Sequence, residues 1–147
     1  MYKKILVTTD GSPLANKGIK SAIELAKSLD AELIALKVIP RYLQTYFEGS
    51  IPLDNAQVMM LEQQWEDEAN AVLAKVQKQG DKEGVAISTA IVKANIISEA
   101  IVTFALKRKV DLIVMTSHGR NGIKRLILGS ETTQVLTHSH VPVLVLR

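Results

Sequence analysis

The chain contains no cysteine among its 147 residues, and aromatic side chains make up only 4% of it. Disulfide frameworks, cysteine-ligated zinc sites and thiol nucleophiles are therefore excluded. The scarcity of aromatics argues against a surface that stacks the bases of single-stranded nucleic acid. The net charge of +3 is small as well, so we expect no nucleic-acid partner.

Long apolar runs are also missing from the N-terminus. Met1-Tyr2-Lys3-Lys4 leads directly into the short run Ile5-Leu6-Val7, whereas a secretory signal is longer and a membrane span needs about 20 apolar residues. We therefore expect a cytoplasmic protein without membrane contact. Hydrophobic residues make up 47% of the chain and charged residues 22%, which is ordinary globular usage and predicts one domain over residues 1–147.

Strand-like runs alternate with apolar stripes at helical spacing along the chain. The predicted strands are Lys4–Thr9, Glu32–Ile39, Val85–Val92, Asp111–Met115 and Val141–Leu146. The predicted helices cover Leu14–Leu29, Asn55–Gln79 with Gly80 as the residue that closes it, Ile97–Ala105, and a segment that begins near Ser130. This alternation predicts an α/β fold, a doubly wound three-layer sandwich around a five-stranded parallel sheet. Ligands of such sheets bind beyond the carboxyl ends of the strands.

The segment after the fourth predicted strand carries the richest chemistry. It reads Thr116-Ser117-His118-Gly119-Arg120, followed after Leu128 by Gly129-Ser130. Gly119 allows backbone amides to approach a bulky anion, and the start of a helix near Ser130 offers N–H groups that favour phosphate. The hydroxyl groups of Ser130 and Thr132 and the guanidinium of Arg120 can add further donors. The alternative is that Ser130 only caps its helix and the glycines only turn the chain.

Asp10 follows the first predicted strand, within Asp10-Gly11-Ser12-Pro13. A carboxylate there can accept hydrogen bonds from the hydroxyl groups of a ribose. The alternative is a purely local role, in which Asp10 forms an Asx turn with Ser12 and Pro13 or caps the first helix.

These residues together resemble the universal stress protein family, over essentially the whole chain. The resemblance extends from KKILVTTDGS to DLIVMTSHGRNGIKRLILGSETTQVLTHSHVPVLVLR. The nucleotide-binding branch of that family has a Gly-x2-Gly-x9-Gly-Ser/Thr motif after the fourth strand. Gly119 and Gly129-Ser130 match this motif with its nine-residue interval intact, but Thr116 stands where the motif has its first glycine.

The resemblance implies a Rossmann-like sheet with the strand order 3-2-1-4-5 and a site for an adenine nucleotide, either ATP or AMP. Thr8 and Asp10 would border the adenosine, with Asp10 at the ribose, and the backbone of Val38 would meet the adenine edge. Ribose and phosphates would be flanked by Thr116, His118, Gly119 and Arg120. The phosphate tail would be cradled by Gly129, Ser130, Glu131 and Thr132, with Glu131 contributing only its backbone N–H.

The resemblance also implies a homodimer that pairs through the last strand, Val141–Leu146. The leading hypothesis is therefore a dimeric, nucleotide-binding regulatory protein of the stress response. One alternative is a slow ATPase or phosphate-transferring enzyme on the same fold, although no dedicated base is evident and we assign no catalytic residue. A second is a nucleotide-free dimer that works through protein contacts, which Thr116 would favour.

No metal-ligand spacing is present in the sequence. His138 and His140 lie two residues apart near the end of the last predicted helix, without the accompanying ligands that a zinc site needs. We therefore predict no metal site of the protein's own. Mg²⁺ can accompany ATP phosphates with few protein ligands.

Overall fold

The computed structural model describes residues 1–43, 51–118 and 128–147. Its five strands are β1 (Lys4–Thr8), β2 (Glu32–Ile39), β3 (Ile87–Lys93), β4 (Leu112–Thr116) and β5 (Val143–Leu146). Its four helices are α1 (Pro13–Leu29), α2 (Asn55–Glu83), α3 (Ile97–Lys107) and α4 (Ser130–His138). All strand pairs are parallel and the order is β3-β2-β1-β4-β5, which confirms the predicted fold class and strand order.

The sheet separates two apolar layers. On one face Ile5 and Val114 pack with α1 and α2. On the other face Leu6 and Ile113 pack with α3 and α4. The central strands β1 and β4 are therefore apolar at consecutive positions, because both of their faces are covered.

Local signals fix where α1 and α2 begin. The Ser12 side chain accepts a hydrogen bond from the Ala15 N–H, and Pro13 occupies the first helical turn of α1. Asp54 and Gln57 form a reciprocal capping box at the start of α2. The turn before α1 follows directly from β1, so its polar residues lie at the carboxyl edge of the sheet.

Gly80 does not end α2, which is a correction to the sequence-based prediction. The helix continues to Glu83 and closes at Gly84, whose φ is 73°. Gly80 is buried, and a Cβ there would lie 2.6 Å from the Val85 carbonyl oxygen and from Ile87 Cδ1. The glycine therefore marks a close approach of the chain entering β3 rather than a helix end.

Three strand starts were also predicted too early, that of β4 by one residue, at Asp111 instead of Leu112, and those of β3 and β5 by two. The Val85 N–H donates to the Gly80 carbonyl at 2.8 Å, which places Val85 in the turn after α2, and β3 begins only at Ile87. Val141 donates its N–H to the Ser139 hydroxyl at 3.0 Å, so β5 begins only after Pro142. Proline lacks the N–H that a strand ladder needs, which keeps β5 short.

No helix among the described residues is long and apolar enough to cross a bilayer.

Candidate functional site

The turn after β1 is held by its own polar side chains. The Ser12 N–H donates to Asp10 Oδ1 at 2.9 Å, and the Gly11 N–H donates to Thr9 Oγ1 at 3.1 Å. Asp10 therefore forms the Asx turn that was its local alternative. A carboxylate accepts several hydrogen bonds at once, so this turn is compatible with a ligand hydroxyl.

Gly11 is required by this turn for two reasons. Its φ of +81° lies in the left-handed region, which side chains rarely adopt. A Cβ at Gly11 would also lie 3.0 Å from Val72 Cγ2 of α2. Helix α2 thus packs against the turn that carries Asp10 and holds it at the carboxyl edge of β1.

The end of β4 is joined to the start of α4 by hydrogen bonds. The Gly129 N–H donates to the Ser117 carbonyl at 2.7 Å, and the Thr132 hydroxyl donates to the Thr116 carbonyl at 2.8 Å. A Cβ at Gly129 would lie 3.0 Å from the same Ser117 oxygen. Glycine at this position therefore lets two backbone segments approach closely, which explains one element of the motif in physical terms.

The first turn of α4 has no side-chain cap. Gly129 is the N-cap residue with φ −60° and ψ 154°, and no side-chain hydrogen bond caps this end among the described residues. Ser130 is therefore the first helical residue, and the alternative in which its side chain caps α4 is wrong. The N–H groups of Ser130, Glu131 and Thr132 precede the first possible intrahelical donor, Thr133, which bonds to the Gly129 carbonyl at 3.0 Å.

His118 lies beside this uncapped end. Its Nδ1 is 3.1 Å from the hydroxyl oxygen of the buried Ser117, and its Cδ2 is 3.9 Å from where a Cβ on Gly129 would be. The imidazole is thus oriented by its neighbour and packs over the N-cap of α4. The Thr116 hydroxyl donates to the His118 carbonyl at 3.0 Å, which fixes the backbone at the same point.

The predicted site residues fall into three groups. The structure brings Thr116, His118, Gly129, Ser130, Glu131 and Thr132 together where β4 meets α4. Thr8 ends β1, the strand that pairs with β4, Asp10 lies in the turn after β1, and Val38 lies near the end of β2. Gly119 and Arg120 lie outside the described residues.

Sequence reasoning missed two features of this site. Ser117 supplies both the carbonyl that receives Gly129 and the hydroxyl that contacts His118, yet no motif position drew attention to it. Thr132 was expected to offer its hydroxyl to phosphate, but it is 3% exposed and its hydroxyl binds the backbone of β4. The sequence did indicate this orientation, because Thr132 lies three residues before the apolar Val135 and residues at this spacing share a helix face.

A second concave surface lies along α3. A cavity of about 460 Å³ is bounded by α3, by the segment after β3 and by Arg41. Arg41 is held there because its Nε donates to the Lys93 carbonyl at 3.1 Å and its N–H donates to Asn95 Oδ1 at 3.0 Å. The segments after β2 and β3 therefore build this cavity, whereas those after β1 and β4 build the candidate site.

The chain was compared with known proteins. The family model described as the universal stress protein family matches residues 1–147. Universal stress protein MJ0531 of Methanocaldococcus jannaschii is 37% identical over 147 residues, covering 100% of this chain and 83% of that protein. Universal stress protein YxiE of Bacillus subtilis is 30% identical over 149 residues, covering 100% of both chains.

The same family dominates the structural comparison. The solved structure of universal stress protein UspA from Lactobacillus plantarum superposes with a TM-score of 0.84 at 26% identity, covering 99% of this chain and 98% of that one. The match of the family model to the whole chain and the structural superposition agree with one another. This chain belongs to the universal stress protein family.

Proposed function

We propose that this chain binds an adenine nucleotide, ATP or AMP, where β1 and β4 end, and acts as a regulatory protein of the stress response. The uncapped N-terminus of α4 carries the proposal. Its first N–H groups have no partner within the helix or elsewhere among residues 1–43, 51–118 and 128–147, and these groups and the positive end of the helix dipole favour a phosphate. Gly129 lies beside them in contact with the backbone of β4, so a phosphate at α4 would lie next to the β4 edge.

Two solved structures with the same fold contain adenine ligands. One universal stress protein structure is a complex with cAMP, with a TM-score of 0.69 and 23% identity. Another, from Archaeoglobus fulgidus, is a complex with dAMP, with a TM-score of 0.69 and 19% identity. At these identities the likeness shows the shared fold, so the nucleotide assignment for this chain depends on its own residues.

Each predicted residue has a role in the proposal. Asp10 accepts from the ribose, Thr8 borders the adenosine, and the Val38 backbone meets the adenine edge. His118 flanks the ribose and phosphates, and the N–H groups of Ser130, Glu131 and Thr132 bind the phosphate tail. The Thr132 hydroxyl donates to the Thr116 carbonyl, so Thr132 would bind the ligand only through its backbone N–H. Gly119 and Arg120 retain the roles that the family motif implies for them.

Mg²⁺ would be bound mainly by the nucleotide. No group of three or more histidine, aspartate or glutamate side chains converges as a metal site among the described residues. Mg²⁺ on nucleotide phosphates needs few ligands from the protein, so it would accompany ATP without a separate metal site.

Two other functions remain as alternatives. A slow ATPase would need a base positioned near the phosphates, and the Ser117–His118 pair at 3.1 Å is the feature that favours it. Product formation that is linear over many turnovers, and that Asp10→Asn abolishes while ATP affinity is retained, would support this enzyme. A nucleotide-free dimer acting through protein contacts would follow if Thr116 closed the site.

Substitution of Gly129 tests the site directly. We expect Gly129→Val to reduce ATP affinity at least tenfold, because its side chain would push the start of α4 away from Ser117. Isothermal titration calorimetry measures this effect, with Thr137→Val on the exposed far end of α4 as the control. Unchanged ATP affinity in a folded Gly129→Val protein would show that the site has been assigned wrongly.

A further inference from the structure

Thr116 is the one position where the chain departs from the glycines of its family motif. Its side chain follows the alternation of β4, in which Leu112 and Val114 face α1 and α2 whereas Ile113 and Met115 face α3 and α4. Thr116 therefore lies on the α1 side of the sheet. Its methyl group contacts a residue of α1, and that residue is Gly18.

Gly18 is unusual because it is a buried glycine inside a 17-residue helix. Glycine weakens a helix interior relative to alanine, so its presence needs a reason. A Cβ at Gly18 would lie 2.9 Å from Thr116 Cγ2, closer than real Cβ atoms come to a neighbour. The missing side chain in α1 thus provides the space that the branched side chain of β4 occupies.

Rotation of Thr116 would not relieve such a contact without loss. Its hydroxyl donates to the His118 carbonyl at 3.0 Å, which fixes the side-chain torsion and hence the direction of the methyl group. Its own carbonyl accepts the Thr132 hydroxyl at 2.8 Å. Three separate contacts therefore connect α1, the His118 backbone and the first turn of α4 through this one residue.

We infer that Thr116 is a positioning residue of the nucleotide site and that Gly18 is its structural complement. Its methyl group lies in the space that Gly18 leaves in α1, so this part of the side chain is packed inside the protein. Its hydroxyl holds the His118 backbone, and its carbonyl holds the start of α4. The threonine thus maintains the site instead of closing it. This inference rests on the proposed function.

The thermal midpoint tests the Gly18–Thr116 contact without any ligand. In the natural background we expect Gly18→Ala to lower the Tm by about 4–8 °C, because overpacking outweighs the gain in helix propensity. In the Thr116→Ser background, which lacks only the methyl group, the same change should raise the Tm by about 2–4 °C. Lys20→Ala, on the exposed side of α1, is the matched control. A higher Tm for Gly18→Ala in the natural background would contradict the inference that Gly18 provides the space for the Thr116 methyl group.

Nucleotide affinity tests the positioning role. We expect Gly18→Ala to weaken ATP binding about fivefold, and adding Thr116→Ser to recover most of that loss. Thr116→Val retains a methyl group but loses the hydroxyl, and should weaken ATP binding about fivefold with only a small change in Tm. Tighter ATP binding by Thr116→Gly would mean that the side chain obstructs the ligand, and would overturn the inference.

The two readouts separate this inference from the proposed function. If the natural protein binds no adenine nucleotide, the proposed function fails and the positioning role fails with it. The sign reversal in Tm between the two backgrounds would then still decide whether Gly18 and Thr116 are complementary. If the natural protein binds ATP but none of these variants alters affinity, only the positioning role is wrong.

Discussion

Single residues at the end of β4 are more constrained than their types suggest. Thr116, Ser117 and Thr132 are ordinary polar residues in the sequence, yet each fixes backbone at the site. Thr116 and Thr132 do so through their hydroxyl groups, and Ser117 does so through its carbonyl, which accepts the Gly129 N–H. Among the described residues no buried side-chain nitrogen or oxygen atom lacks a hydrogen-bond partner. The site is therefore organised by the chain itself before any ligand binds.

Removal of the Thr132 hydroxyl should destabilise the protein. We expect Thr132→Val to lower the free energy of unfolding by about 1–2 kcal/mol, because a buried hydrogen bond to the Thr116 carbonyl is lost at nearly constant volume. Urea denaturation measures this change. Thr137→Val removes a comparable hydroxyl bond at an exposed position and should cost less than about 0.5 kcal/mol. Equal costs for the two variants would contradict the tethering role of Thr132.

The sequence was informative about some of these residues and silent about others. The helix start at Gly129-Ser130 was predicted correctly because a motif with fixed spacing carried it, whereas the role of Gly129 at a nucleotide stays a prediction. The bond from the Thr132 hydroxyl to β4 and the Gly18–Thr116 contact could not be predicted, because both depend on how two separate elements pack. The Asx turn of Asp10 was one of the two local roles that the sequence suggested, and it is present in the structure. Local hydrogen bonds of this kind are encoded within four residues and are therefore the most predictable.

At the scale of elements, caps and close approaches decide where the helices end. Helix α2 has 29 residues, and its four buried residues (Ala69, Leu73, Val76 and Gly80) lie from its midpoint onwards. The apolar stripe in the sequence predicted that this helix exists, but it did not predict where the helix ends. The polar residues after Gly80 show no apolar stripe, so the sequence did not indicate that the helix continues to Glu83 and closes at Gly84.

Gly80→Ala tests the close approach of α2 and β3. The added Cβ would lie 2.6 Å from the Val85 carbonyl oxygen. We expect a loss of about 2 kcal/mol in the free energy of unfolding, although alanine is the better helix former. Gln79→Ala, at the exposed neighbouring position, is the control and should be nearly neutral in chemical denaturation. If Gly80→Ala stabilised the protein, Gly80 would be an ordinary helix position.

Helix α4 begins directly after a glycine that cannot cap it with a side chain. It is only nine residues long and its N-cap glycine supplies no side-chain acceptor. In most helices a Ser, Thr, Asp or Asn at the N-cap would satisfy these N–H groups. The absence of such a residue weakens the helix slightly but leaves its dipole and donors available to an anion.

At the scale of the whole molecule, strand order determines where function can lie. The order β3-β2-β1-β4-β5 reverses between β1 and β4, and the candidate site lies beyond the carboxyl ends of these two strands. Strand alternation in the sequence predicted the fold class. The order itself came from the family resemblance, because a single sequence does not indicate which strands are neighbours.

Strand β5 forms one edge of the sheet, and we propose that it pairs with a second copy of the chain. Leu144 on β5 is 39% exposed and Leu136 on α4 is 41% exposed, so apolar surface accompanies this edge. An uncovered strand edge with apolar side chains is an aggregation hazard that pairing would remove. Because β5 has four residues, the shared ladder would be short.

Leu144→Lys tests this dimer. We expect the substitution to shift the protein from dimer to monomer in sedimentation velocity, because a charged side chain would have to be buried at the shared edge. Leu106→Lys changes an apolar residue of α3 that is 53% exposed, and should leave the dimer intact. A monomeric natural protein, or an unaffected Leu144→Lys dimer, would exclude pairing through β5.

The central claim is adenine-nucleotide binding, and the thermal midpoint of nucleotide-stripped protein tests it most directly. The protein would be titrated with ATP and with AMP, using GTP as the control. Ligand at 100 times its Kd should add about 2.7 kcal/mol, or roughly 5–10 °C for a domain of this size. The account predicts a saturable shift of that order with adenine nucleotides alone. No shift with ATP or AMP at millimolar concentration would contradict it, and the protein-contact alternative would then take its place.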